Sequence, residues 1–281
     1  MRTILKILLA VFVLSLAPTT YVCAQGYIET PAERKARQER EAAAKKKRQQ
    51  DAAARTRRNQ ASREQEECNE RLRSCGKFFE GLAYYKDANG KYGFIDKTGK
   101  VVIPCQWEFV ESFSEGLAAV NDKDDKYGFI DKTGKLVLPC KWNRAWSFHE
   151  GLGSVEDANG KRGYIDKTGK MVIPCQWKFI GRFSEGLAKV EDNNQEWGYI
   201  DKTGKVVIPY QWKDVGNFSD GLAAVRGAYY KWGFIDKTGK VVIPCQWKYA
   251  GNFSEFSEGL ANVMDDNGVF HKIDKTGKII E

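Results

Sequence analysis

The chain has 281 residues, 42% of them hydrophobic and 29% charged, with a formal net charge of +8. That length holds one or two domains, and no apolar run beyond residue 24 is long enough to cross a bilayer, which excludes a polytopic helical membrane protein. The charge is uneven: residues 31–75 hold 14 Lys/Arg against 8 Asp/Glu, whereas the 29 basic and 28 acidic residues from 76 onward nearly cancel.

The first 24 residues set the compartment. Arg2 and Lys6 precede the apolar run Ile7–Leu14, Pro18 follows it, and Val22-Cys23-Ala24 supplies a small-residue exit. This pattern reads as a secretory signal peptide, residues 1–24, cut between Ala24 and Gln25. A membrane anchor and lipidation at Cys23 are the alternatives. The apolar run is short for a span, and Tyr21-Val22 is bulky for a lipid-modified cysteine. The mature chain is expected to be exported, whether periplasmic, surface-held or secreted.

After a linker at 25–30, residues 31–75 are almost entirely Ala, Arg, Lys, Glu and Gln, all good helix formers. Thr30-Pro31 supplies an N-cap with proline at the first helical position, and Gly76 suits the stop. Leu72 is the only large aliphatic residue in the segment. A helix polar all round buries nothing, so it is expected to be a spacer or a polyanion-binding arm. It has no aromatic residue to stack on bases, so no nucleic acid is expected as a partner.

From residue 76 onward the sequence is periodic. Asp-Lys-Thr-Gly-Lys begins at Asp96, Asp131, Asp166, Asp201, Asp236 and Asp274, at steps of 35 residues and finally 38. Six units open at Phe78, Phe113, Phe148, Phe183, Phe218 and Phe256, and a fixed period of this kind signals a repeat array. Each unit carries short runs of β-branched and aromatic residues bounded by Gly, Asn, Asp and Pro, which read as strands. Asn89-Gly90, Asn159-Gly160 and Asn267-Gly268 suggest type I′ hairpins, and Asp-Lys-Thr-Gly-Lys suggests a type I turn closed by a glycine bulge. The expected fold is an all-β array of antiparallel three-stranded units over 76–281, an open or curved solenoid with a β-propeller as alternative, preceded by the polar helix. The stretch Glu108–Ser112 is a candidate fourth strand, and the proline after Val-Val-Ile either ends its strand or sits on an edge.

Trp197-Gly198-Tyr199-Ile200-Asp201 and Trp232-Gly233-Phe234-Ile235-Asp236, with Phe-Ser-Glu-Gly-Leu-Ala upstream and Gly-Lys-Val-Val-Ile-Pro downstream, resemble WG repeats. The resemblance covers 78–281. It departs at Tyr92, Tyr127 and Arg162, which stand where Trp is usual, and in the sixth unit at Phe270-His271-Lys272. It implies a β-rich repeat fold, export in many members and a binding role, with no catalytic residues to transfer.

Six cysteines remain after signal cleavage. Cys105, Cys140, Cys175 and Cys245 share one repeat position, taken by Tyr210 in the fourth unit. Candidate disulfides are Cys105–Cys140, if neighbouring units bring them together, and Cys68–Cys75, if the helix ends between them; otherwise these positions hold buried thiols. No cofactor or metal is implied. His149 and His271 are isolated and read as surface positions. The recurrent Lys-Thr-Gly and the single Ser74-x-x-Lys77 do not make a penicillin-binding pattern, because six hairpins need the same turn. Acidic turns such as Asp122–Asp125 lack full calcium-loop spacing.

The chain is therefore expected to be non-catalytic: an exported binding or scaffold protein that presents its array to a protein or envelope polymer. The alternatives are a glycan-binding module and, remotely, an enzyme. Trp107, Trp142, Trp177, Trp212 and Trp247 are the candidates for a stacking ladder, against the plainer reading that they form the core.

Overall fold

The computed structural model describes residues 30–251 and 259–280. The signal-peptide segment, most of the linker and the duplicated Phe-Ser-Glu at 253–258 lie outside the described residues. The chain divides into two compact units, 1–61 and 62–281. Among the described residues no helix is long and apolar enough to cross a membrane.

One helix, Pro31–Ser74, begins as its sequence dictates. Thr30 Oγ1 accepts the Glu33 amide at 3.3 Å, and the Glu33 carboxylate accepts the Thr30 amide at 2.9 Å, a reciprocal capping box. The helix is unbroken through Cys68, so about 10 Å of rise separates that residue from Cys75, and the condition for bridging them is not met. All six described cysteines are free.

The last helical turns belong to the second unit and dock there. Arg71 Nε donates to the Gly99 carbonyl at 2.9 Å, while Leu72, Cys75 and Phe78 pack over Ala83, Tyr85 and Ile95 of the first sheet. Leu72, the lone large aliphatic residue of the segment, is thus spent on the first sheet.

Six antiparallel sheets follow among the described residues. The first contains Leu82–Lys86, Tyr92–Asp96 and Val101–Trp107, in that order. The second adds Phe109–Val110 ahead of Leu117–Asn121, Tyr127–Asp131 and Leu136–Trp142. The third contains Arg144–His149, Leu152–Glu156, Arg162–Asp166 and Met171–Trp177. Leu187–Glu191, Trp197–Asp201 and Val206–Trp212 form the fourth, and Asp214–Val215, Leu222–Arg226, Trp232–Asp236 and Val241–Trp247 the fifth. Tyr249–Ala250, Ala261–Met264 and Phe270–Ile273 complete the sixth. The connecting stretch is thus a fourth strand in several units, and it pairs with the unit that follows it.

The turns correct one assignment. In the Asn-Gly turns only the last residue is left-handed: Gly90 has φ +82°, its amide bonds Asp87 O, and the turn is a type I with a bulge. The type I′ hairpin is Glu-Gly. Glu80 and Gly81 have φ of 50° and 90°, and Phe79 and Leu82 exchange both backbone bonds. The Asp-Lys-Thr-Gly-Lys turns fold as their chemistry suggests. Asp96 Oδ1 accepts the Thr98 amide at 2.8 Å and its hydroxyl at 2.6 Å, and Gly99 has φ +83°.

Proline does not end the third strand. Tyr92 pairs with Trp107 and Phe94 with Ile103, so Pro104 and Cys105 form a bulge on an edge strand, where a missing N–H is tolerated. The bulge swings over Gly93. A Cβ there would stand 2.4 Å from the Ile103 carbonyl oxygen, and Gly128, Gly163, Gly198 and Gly233 face the same contact at 2.4–2.5 Å. Close backbone approach is the physical requirement for the recurrent glycine.

Each sheet gives one face to the core before it and the other to the core after it. Phe94 and Ile103 of the first sheet pack with Phe113, Val120 and Ile130 of the second; Phe129 and Leu138 then meet Phe148, Val155 and Ile165 of the third. A fully buried Phe in such a core stabilises by about 3–5 kcal/mol relative to Ala. No core cluster among the described residues joins the first sheet to the sixth. The helix end covers the first sheet. On the sixth, exposed Asn262 and Lys272 replace Ala224 and Phe234 of the fifth, the polar outer face that a terminal repeat needs.

Candidate functional site

The five candidate tryptophans belong to the inter-sheet cores. Trp177, Trp212 and Trp247 are buried, and Trp107 and Trp142 are half-buried against the clusters of their own sheets. They present no free stacking ladder, because they share the core face of Ile103 and its equivalents. Tyr210 acquires a role here: its hydroxyl accepts the Trp177 indole N–H at 3.1 Å, at the edge of a cavity of about 300 Å³. Where cysteine holds that position in the next unit, as Cys140 and Cys245 do, the indole nitrogens of Trp107 and Trp212 have no partner. Cys105 and Cys140 sit on successive sheets as separate thiols, each pushed up by burial.

A ladder of surface aromatics does exist, on other residues. Tyr84, Tyr92, Phe109 and Tyr127 follow one another with ring centroids 6.2–6.3 Å apart. Tyr92 and Tyr127 hold the position before the recurrent glycine, Phe109 is the aromatic of a connecting strand, and Tyr84 lies in the first strand. In the third sheet the ladder breaks, because arginine stands there.

Arg162 replaces the aromatic residue. Its guanidinium lies over Trp146 at 4.6 Å and Phe179 at 5.2 Å, and its Nε donates to Glu156 at 2.9 Å. Glu156 also stands opposite Arg144 across the strand pair. The neighbouring backbone is altered as well. The connecting strand pairs along Arg144–His149, with a register shift that throws out Trp146 and Ser147. Gly153, where other units carry Ala, makes this possible: a Cβ would lie 2.9 Å from the Phe148 ring.

These departures open a cleft. Glu111, Trp146, His149, Ser154, Arg162 and Arg182 line a cavity of about 320 Å³, and a second of about 150 Å³ shares Glu111 and Trp146 and reaches Phe109, Tyr127 and Arg144. Burial pushes the Glu111 carboxyl above the usual carboxylate range. Burial, then the nearby Arg182, lowers the His149 imidazole, which Glu115 and Glu150 only partly offset. At neutral pH His149 is an uncharged donor or acceptor. It is therefore half-buried in a charged cleft, which corrects its reading as an isolated surface residue. The available signal was unit-by-unit comparison, since His149, Gly153 and Arg162 all depart from the repeat within one unit and Trp146 just before it.

Glu111, His149 and Ser154 supply residue types used in nucleophilic catalysis, but among the described residues no hydrogen bond links any two of them. Among the described residues no group of His, Cys, Asp and Glu is arranged to hold a metal ion.

A second polar system ties the units together. The Glu80 carboxylate accepts the Gly116 amide at 3.0 Å and pairs with Lys132 at 2.9 Å. Glu115, Glu150 and Glu185 repeat the arrangement with Gly151/Lys167, Gly186/Lys202 and Gly221/Lys237. Burial raises the Glu80, Glu115 and Glu185 carboxyls, but the lysine and glycine bonds outweigh it and hold them below the usual range.

The WG containing repeat matches the chain five times, at residues 92–127, 127–161, 163–195, 197–226 and 232–268. The chain belongs to this family. No curated protein matches the sequence. Among solved structures it is similar to the computationally designed Ika8 protein, at 12% identity and TM-score 0.47 over 74% of this chain and 72% of that one. It is also similar to BamB from Moraxella catarrhalis, at 14% and 0.44 over 72% and 70%. The WD40 β-propeller domain of Doa1 gives 12% and 0.37 over 72% and 82%. These scores are too low to say anything about function.

Proposed function

We propose that this WG-repeat chain is an exported, non-catalytic binding protein that holds a protein or envelope partner at the cleft of its third repeat. One observation carries the reading. In an array whose units otherwise repeat closely, one sheet exchanges its aromatic for Arg162, lengthens its connecting strand to Arg144–His149 with Trp146 and Ser147 bulged out, and opens a cavity of about 320 Å³. Specialised residues gathered at one place on a repeated frame support a binding site, because the frame itself does not need them. The basic, apolar and small-residue stretches of residues 1–24 support export.

The test is capture from an envelope extract with three baits: the chain from residue 25, the same chain lacking 31–61, and the same chain carrying Trp146→Ala with Arg182→Gln. The deletion stops at 61 because Arg71 and Leu72 dock on the first sheet. Capture that survives the deletion and is lost in the cleft variant supports the reading and makes the helix a spacer. Capture that survives the cleft variant refutes it. A glycan partner is the second reading, carried by the surface row Tyr92–Phe109–Tyr127. It predicts binding to isolated envelope polysaccharide that Phe109→Ala weakens, and binding indifferent to that change refutes it.

A further inference from the structure

The cleft holds opposite charges that do not meet. Glu111 and Arg182 line the same cavity. No ion pair joins them, and the side chains of Glu111, Ser154 and Arg182 take part in no hydrogen bond among the described residues. Glu80, Glu115, Glu150 and Glu185 each meet a lysine, and Arg162 is clamped by Glu156. Glu111, half-buried, and Arg182, exposed, instead line one cavity without an ion partner among the described residues. His149 adds no charge at neutral pH, for the reason given above. Trp146 and Ile180 supply the apolar wall.

Resting on the reading of the cleft as a binding surface, we infer that it takes a small zwitterion, an amino acid with free ammonium and carboxylate groups and an apolar side chain. The ammonium group sits at Glu111, the carboxylate at Arg182 and the Ser154 hydroxyl, and the side chain against Trp146 and Ile180. The size agrees. A cavity of about 320 Å³ lies at the small end of ligand pockets, which run from about 300 to 1,000 Å³. Glu111 is half-buried, so a ligand that lacks the ammonium leaves a partly desolvated carboxyl unpaired, while Arg182 is exposed and meets the ligand's carboxylate from the rim. That penalty is what makes such a site selective.

The experiment is calorimetric titration of the full chain with free leucine, N-acetylleucine and leucinamide, followed by the other free amino acids. Leucine binds, while N-acetylleucine, which lacks the ammonium, and leucinamide, which lacks the carboxylate, each bind at least about tenfold more weakly. Glu111→Gln abolishes the preference for leucine over N-acetylleucine, and Arg182→Gln abolishes that over leucinamide. Both variants keep the parent melting temperature, because neither side chain bonds to the fold. The inference is overturned if no free amino acid binds at concentrations up to about 10 mM. It is equally overturned if the blocked analogues match leucine, or if Glu111→Gln leaves the discrimination unchanged. If amino acids fail while the cleft variant still loses its captured partner, the zwitterion is wrong and the binding surface stands.

Discussion

Replacing Gly198 with alanine places a methyl group 2.5 Å from the Ile208 carbonyl oxygen and 3.1 Å from both Pro209 C and Tyr210 N. All three atoms are backbone, so no side chain can swing aside. Ordinary C···O contacts stand at about 3.3 Å or more, so the edge strand must retreat by about 0.8 Å. Overpacking of this kind costs about 1–3 kcal/mol, and weakening one neighbouring backbone hydrogen bond adds about 1 kcal/mol, for a total near 3 kcal/mol. For a domain of this size each kcal/mol lowers the melting temperature by about 2–4 °C, so a fall of about 6–12 °C is expected. Urea unfolding followed by tryptophan fluorescence measures the same loss as a shift in midpoint. A change below about 0.5 kcal/mol would refute the close-approach explanation of the glycine, since an unhindered surface substitution gives that much.

Glu115→Gln removes one charged step of the ladder and is expected to cost about 1 kcal/mol near neutral pH. The folded carboxyl lies below its unfolded value, so its contribution is present above the unfolded pKa and is lost as pH falls through the folded one. Urea midpoints of parent and variant should converge on acidification, and a constant gap would contradict the assignment. Tyr210→Phe leaves the Trp177 indole unpaired and is expected to destabilise by about 1 kcal/mol, read as a thermal shift. Leu72→Ala strips the half-buried anchor of the helix end, at about 1–2 kcal/mol, and should speed amide exchange in Leu82–Lys86 ahead of the other sheets.

Period, turns and helix were legible because each rests on local chemistry. The Asp-Lys-Thr-Gly-Lys carboxylates bond their own backbones in all six copies, and Thr30-Pro31 caps the helix as written. The placement of Cys105 was not. Simple alternation places Ile103, Cys105 and Trp107 on one face, and Ile103 and Trp107 do join the core with Phe94, but the bulge at Pro104 turns Cys105 out of that face, so it packs toward the helix end. Turn type was misread because Asn-Gly is a strong type I′ signal. Here Asp87 Oδ1 accepts both the Asn89 and Lys91 amides and draws the loop into the longer form. The cleft lay hidden because it needs side chains far apart in the chain, Glu111, Arg162 and Arg182, whose meeting is set by stacking.

The claim that the third-repeat cleft is where the chain meets its ligand is tested most directly by site-specific photocrosslinking. Benzoylphenylalanine is placed at Phe179, an exposed ring beside Arg162, and, as control, at Val207, an exposed position on the edge strand of the fourth sheet. The account predicts adducts with the captured partner at Phe179 and none at Val207. Equal labelling at both positions, or labelling at Val207 alone, would contradict it.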